Sequence, residues 1–203
     1  MASLHIPSEV EFHGRIIKAS VGERISTVRA PGNVEVMVVA SGLMQAARQD
    51  QDGGGVTRIT GPGDVVGAEA LEGEVVHHVI HCLTDGRLIG FNIRKIDGNL
   101  AVCRWLADRL AVQLQQTERE IQWMRSLSVE NRVQLHLNDL SAKVDGDEIP
   151  ISQADLAQVV GATRETISTV LNRLARAGLI RLSRRSIRVV QRESLAIGKA
   201  QGL

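Results

Sequence analysis

Tyrosine is absent from the 203 residues, and aromatic side chains of all kinds make up 2%. So small a supply argues against single-stranded nucleic acid as a ligand, because its binders stack bases on aromatic platforms. Cysteine is nearly as scarce. Cys82 and Cys103 are the two present, too few for a disulfide framework and without the close pairs of a zinc ribbon or finger. Both read as reduced, small apolar groups. No apolar run approaches the roughly 18 residues of a membrane span, and residues 1–7 lack the charged-then-apolar design of a secretory signal. A cytoplasmic protein with no membrane partner is expected.

Apolar content of 43% with 23% charge is ordinary for a globular chain. The length allows one large or two modest domains. A net charge of +1 conceals a division. Residues 1–150 carry 15 Lys/Arg against 20 Asp/Glu, while residues 151–203 carry 9 against 3, so the two stretches stand at −5 and +6. A basic terminal quarter on a neutral chain suits a polyanion, and the acidic remainder limits non-specific attraction. With aromatics so few, duplex DNA held through its phosphates is the expected polyanion.

Residues 9–96 read as short strands. "VEVMVVASG" and "VTRIT" are rich in β-branched residues, and "APGN", "DQDGGG", "TGPGD", "LEGE" and "TDGR" place turn residues between such runs. "QDGGGV" is a hairpin tip. Strands at this spacing predict a jelly roll, sandwich or barrel. From Asn99 the period changes. "NLAVCRWLADRLAVQLQQTEREIQWMRSL" sets Cys103, Leu106, Leu110, Leu114 or Gln113, Thr117, Ile121 and Met124 at steps of three and four, a coiled-coil seam on one long helix. About 40 Å of helix is more than the strands need to cover themselves, so a dimer contact is expected. Ser128 then caps "SVENRVQLHLNDLSAK", with Val129, Val133, Leu137 and Leu140 on one face, and "VDGDEIP" is a loop or short hairpin arm.

The segment "ISQADLAQVVGATRETISTVLNRLARAGLIRLSRRSIRVV" is the most informative. Ser152 caps a helix with Asp155 three positions on, Gly161 stops it, and Thr163 caps the next. Ile167, Val170, Leu171 and Leu174 face inward. Arg164, Glu165, Ser168, Thr169, Asn172 and Arg173 lie on the opposite side. Two short helices around a glycine turn, the second polar at its start, form a helix-turn-helix that places side chains in the major groove. Arg can donate twice to guanine and Glu can accept from cytosine, each pairing worth about 1–3 kcal/mol of discrimination. Ser152, Gln153 and Thr163, at helix starts, suit phosphate oxygens. Ser183, Arg184 and Arg185 form a basic wing tip.

The run "VGATRETISTVLNRLARAGLI" resembles the signature of the cyclic-AMP receptor protein/FNR family of bacterial transcription regulators, and the likeness extends over almost the whole chain. The resemblance implies an α+β fold with an N-terminal antiparallel, jelly-roll-like β-roll sensor (1–98), a long dimerisation helix (99–127) and a C-terminal winged helix-turn-helix (128–203). It implies a homodimeric activator, not an enzyme, that binds a near-palindromic duplex and touches RNA polymerase. The family's Arg-Glu-Thr reading run is matched by Arg164, Glu165 and Thr166. One turn later relatives of the receptor protein use a second Arg, where this chain has Thr169, so its base preference should differ there. The glycine common at the wing tip falls on Arg184.

The resemblance also locates a cyclic-phosphate cassette in "GPGDVVGAEALEGEVVHHVIHC". Gly67 keeps the turn, and Glu69, Ala70 and Leu71 keep the local shape. Ala68 stands where the ribose-binding Glu is expected, and the usual Arg falls near Val76, followed by His77, leaving no cation of fixed charge in the cassette. Loss of both charged anchors argues against ordinary cyclic-nucleotide binding, although a protonated His77 or a displaced Arg87 could compensate in part. Metal or haem is the other reading. On a strand, His77, Val79 and His81 share one face while His78, Ile80 and Cys82 share the other. Four residues span about 13 Å, so neither face chelates zinc alone. A ligand from His5, His13 or a partner subunit would have to converge. No cofactor is predicted; a regulator gated by haem, metal, redox or another small molecule in the β-roll is the alternative, and a cupin-like metalloenzyme a remote one.

Overall fold

A computed structural model describes residues 4–30, 33–48, 57–73, 77–96, 98–144 and 148–195. Contacts divide the chain into residues 1–115 and 116–203, with the division falling inside one helix.

The first unit holds helix α1 (Ser8–His13) and strands β1 (Arg15–Ala19), β2 (Arg24–Ser26), β3 (Val28–Ala30), β4 (Asn33–Ser41), β5 (Met44–Arg48), β6 (Thr57–Thr60), β7 (Val65–Val66), β8 (His78–Cys82) and β9 (Gly86–Asn92). Helix α2 (Ile93–Ile96) and helix α3 (Leu100–Ser126) follow. All strand pairings are antiparallel. One sheet runs β1-β9-β4-β3 with β7 also on β4, and the other runs β2-β8-β5-β6. This is the expected β-roll. The hairpin expected at "QDGGGV" is flanked by the β5–β6 pair, whose last register is Ala47 opposite Thr57; residues 51–56 lie outside the described set.

Alternation on β4 builds two layers of core. Met37 and Val39 join Met44, Ala46, Ile80, Cys82 and Leu88, so they fill the space between the sheets. Val36, Val38 and Ala40 join Ile89, Phe91, Ile96, Val102 and Leu106 on the side covered by helices. Successive strand side chains point to opposite faces, so one strand serves both layers. Trp105 leans on Phe91 with ring centroids 6.1 Å apart. Asn99 begins α3, its side chain accepting from the Val102 N–H at 3.0 Å.

Unit two contains α4 (Val129–Lys143), β10 (Glu148–Ile149), α5 (Gln153–Val160), α6 (Arg164–Arg176), β11 (Ile180–Leu182), β12 (Ile187–Val189) and α7 (Arg192–Leu195). The sheet order is β10-β12-β11, so the stretch expected as a loop or hairpin arm contributes, at Glu148–Ile149, a strand paired with the distant β12 and no local hairpin. Ser128 caps α4 by accepting from the Asn131 N–H at 3.3 Å. Helix α4 is buried over a wider arc than its sequence pattern suggests: Leu135, His136 and Ser141 are buried beside Val133, Leu137 and Leu140. The cause is that α5, α6, α7 and the small sheet all pack around it.

His136 meets Trp123 edge to face at 5.6 Å, and burial, reinforced by Arg132 and Lys143, pushes its pKa down from 6.5 to about 4. The unfolded chain takes up this proton near pH 6.5 and the folded unit does not. Stability of the C-terminal unit should therefore fall as pH drops from 6.5 toward 4, by about 3 kcal/mol in all, with no contribution above 6.5. Denaturant midpoints followed by Trp123 fluorescence at pH 7 and pH 5 check this. His136→Phe should flatten the slope; an unchanged slope would assign it to other groups.

Candidate nucleic-acid interface and β-roll cavity

The two helices of the C-terminal motif are fixed by their caps. Ser152 and Asp155 form a reciprocal capping box at the start of α5, with the Ser152 hydroxyl accepting from the Asp155 N–H at 3.1 Å. Gly161 closes α5 in the left-handed region at φ 69°, a conformation that costs an L side chain roughly 1–2 kcal/mol. Thr163 caps α6, accepting from the Thr166 N–H at 3.2 Å. Helix α6 is then sharply two-faced. Ile167, Val170, Leu171 and Leu174 are buried, while Arg164, Glu165, Thr166, Thr169, Asn172 and Arg173 are exposed and Ser168 is half-buried.

Two predicted contacts have internal partners. The Thr169 hydroxyl donates to the Glu165 carbonyl at 3.0 Å. The Arg173 guanidinium is ion-paired with Glu130 of α4, at side-chain exposures of 64% and 29%. An exposed pair is worth at most about 1 kcal/mol. Glu130→Gln should therefore free Arg173 and tighten duplex binding by about two- to fivefold. Fluorescence anisotropy on labelled DNA reads the change, and weaker binding would remove Arg173 from the interface.

Ser152 and Gln153 are half-buried at the start of α5. At the wing, the Ser183 N–H donates to the Ser186 carbonyl at 2.9 Å, and Ser183, Arg184 and Arg185 are exposed on the turn. No described residue other than glycine has positive φ, so Arg184 sits at the wing tip in an ordinary backbone conformation. Glu148 braces the base of the wing, accepting from Ser186 at 2.5 Å and pairing with Arg188 at 2.8 Å.

On α3 the predicted seam needs one correction. Leu106 is buried in the first unit's own core with Val102, because the first two turns lie on the β-roll. The outward positions are Cys103, Ala107, Leu114, Thr117, Ile121 and Met124, with Leu110 half-buried. With Ala107 in place of Leu106, the spacing is an unbroken alternation of four and three. Leu114, Ile121 and Met124 are 60%, 45% and 56% exposed, unusual for large apolar side chains at regular heptad spacing.

The cassette falls on the turn after β7. Gly67 has φ 80° and opens a short 3-10 helix, Ala68–Glu72. Beside it is a cavity of about 250 Å³ lined by Ala46, Arg48, Arg58, Val65, Val66, Gly67, Ala68, Glu69, His78 and Gln113. Ala70 turns into the core, and His77 is exposed just ahead of β8. Val76 lies outside the described residues. Arg87 is exposed on β9 and is not part of the lining.

Beyond the cassette, Arg48 and Arg58 also line this cavity. They come from β5 and β6, far in sequence from the cassette, which is why the cassette alone did not reveal them. Glu69 contacts His78 at 3.2 Å. Burial lowers the His78 pKa from 6.5, with Glu69 opposing that shift and the two arginines adding to it.

The histidines divide across β8 as alternation requires, with Ile80 and Cys82 buried on the face of His78. Among the described residues no three His, Cys, Asp or Glu side chains group to hold a metal ion. Burial, then Glu23 and Asp85, pushes the Cys82 thiol up to about 11, so it carries little thiolate at neutral pH. No described helix is long and apolar enough to cross a membrane.

Residues 102–196 match the family of Crp-like helix-turn-helix domains. Over 150 residues the chain is 29% identical to the transcriptional regulator SdrP of Thermus thermophilus, covering 70% of this chain and 73% of that protein. It is 24% identical over 155 residues to the cAMP-activated global transcriptional regulator CRP of Haemophilus influenzae, covering 70% and 69%. The crystal structure of a CRP/FNR-family transcriptional regulator from Thermus thermophilus superposes with a TM-score of 0.77 over 92% of this chain and 99% of that one, at 24% identity.

Proposed function

We propose that this DNA-binding transcriptional regulator of the CRP/FNR type acts as a cytoplasmic homodimer on near-palindromic duplexes, without requiring cyclic AMP. The observation that carries the DNA reading is α6, with a capped start, four buried apolar residues and an opposite face of exposed Arg, Glu, Thr and Asn. Arg164, Glu165 and Thr166 read base edges, Thr169 and Asn172 lie one or two turns further on, and Ser183, Arg184 and Arg185 hold the backbone beside the site. Ser152, Gln153 and Thr163 face phosphates from helix starts. Activation through RNA polymerase follows from the same reading.

Pairing of two chains along α3 is supported by the exposed heptad stripe. Independence from cyclic AMP is supported by Ala68, which has no carboxylate for a ribose hydroxyl, and by the engagement of the neighbouring Glu69 with His78. A gel shift on duplexes selected from a random pool, with and without cyclic AMP, tests this. Tight binding in the nucleotide's absence, falling steeply with salt as counterions are released, is the expected result. Binding only when the nucleotide is added would refute the cassette argument.

A further inference from the structure

We propose that α3 selects a second copy of its own chain through a reciprocal ion pair, Glu120 of one protomer with the partner's Arg125, which sets the two helices parallel and in register. The pair presupposes the homodimer proposed above and adds how that homodimer recognises itself. Charge placement along the helix carries it. Ala107, Leu114 and Ile121 occupy one core position of the heptad, and Leu106, Gln113 and Glu120 directly precede them. The other core position, taken by Leu110, Thr117 and Met124, is directly followed by Ala111, Glu118 and Arg125. These flanking positions are the ones that face a partner helix across a coiled-coil seam and set its choice and orientation.

The first two members of the leading flank serve the β-roll. Leu106 lies in its core, and Gln113 Oε1 accepts from the Val65 N–H at 2.8 Å. Glu120, the third, is half-buried and accepts from Gln116 Nε2 at 3.2 Å. A carboxylate offers about four acceptor sites, so that bond holds the group without exhausting it. Arg125 is exposed in the last turn of α3, and nothing among the described residues pairs with its guanidinium. In parallel helices the leading flank of one heptad faces the trailing flank of the partner's next heptad. Glu120 then meets the partner's Arg125, and the twofold axis repeats the match. An antiparallel pairing of the same stripe sets Arg104 against the partner's Arg125 and Glu120 against the partner's Gln113, so like charges meet and no opposite ones do. Each chain carries both members of the pair, so its own copy satisfies both contacts. A related helix with a like charge at either place does not, which is selection by repulsion as well as attraction.

Sedimentation equilibrium on the full chain without DNA reads self-association, and native mass spectrometry of mixed variants reads partner choice. Glu120→Arg and Arg125→Glu each set like charges together at both symmetry-related contacts, and each should self-associate about 10- to 100-fold more weakly than wild type. Mixed with each other, the two should form the heterodimer in preference to either homodimer. The double exchange, Glu120→Arg with Arg125→Glu, should recover self-association to within about threefold while refusing subunit exchange with wild type. These differences should fade near about 1 M salt. Arg125→Glu also sets an acid at the negative end of α3, so the double exchange, which keeps that acid, decides the matter should the single variant be unstable. Free exchange between wild type and the double exchange, or a stronger dimer from Arg125→Glu as the antiparallel arrangement requires, overturns the pair and leaves the homodimer standing. A monomeric wild type, or a dimer unaffected by Leu114→Glu with Ile121→Glu, defeats the homodimer reading and the pair with it.

Discussion

Arg164→Ala should lower affinity for the selected duplex by roughly 2–6 kcal/mol, about 30-fold to 20,000-fold, with the loss concentrated at one base pair in each half-site. Arg164 is the first residue of α6, exposed directly after the Thr163 cap, and the N-terminal turn of a recognition helix reaches deepest into the major groove. A bidentate contact contributes about 1–3 kcal/mol, and in the proposed homodimer it counts twice. The measurement is anisotropy on a set of duplexes changed one base pair at a time. Arg164→Ala should bind them with nearly equal affinity where the wild type discriminates. Arg185→Ala is the contrast, weakening every duplex alike and reducing the salt slope by about 1 for each half-site. Uniform losses from both substitutions would remove Arg164 from base reading.

The second large effect is expected from the α3 stripe. Leu114→Glu combined with Ile121→Glu should turn the proposed homodimer into a monomer and weaken duplex binding by about 100-fold to 10,000-fold, because each half-site must then be bound without the effective concentration its partner supplies. Two acidic side chains facing their own copies across a heptad seam combine like-charge repulsion with lost apolar burial. Sedimentation velocity reads the assembly state and the gel shift reads the DNA. Val112→Glu is the control: Val112 is 52% exposed on the same helix but off the stripe, so that change should leave both readings unaltered. A monomeric Val112→Glu protein, or a dimeric double variant, would place the contact elsewhere.

The features legible from sequence were those encoded by near neighbours in the chain. Ser152 with Asp155 and Thr163 with Thr166 are caps closed over three residues, and the α6 faces are separated by helical period alone, so both could be read locally. The alternation of His78 to Cys82 across β8 was equally local. The misreadings came from contacts between distant segments. Leu106 fits a coiled-coil spacing as well as Ala107 does; the choice depends on which residues the β-roll has already claimed, and Val102 with Leu106 makes that claim. Arg48 and Arg58 were passed over because their relation to His78 and Gly67 is set by the register of β5, β6 and β8. The short helices α1 and α2, of six and four residues, are too brief for a period to show.

Gln113 and Leu114 are consecutive on α3, one bordering the cavity and the other on the exposed stripe. Linkage requires that any factor by which an occupant of the cavity alters self-association be returned in equal measure as a change in the occupant's own affinity. Binding curves for that occupant would then shift with protein concentration.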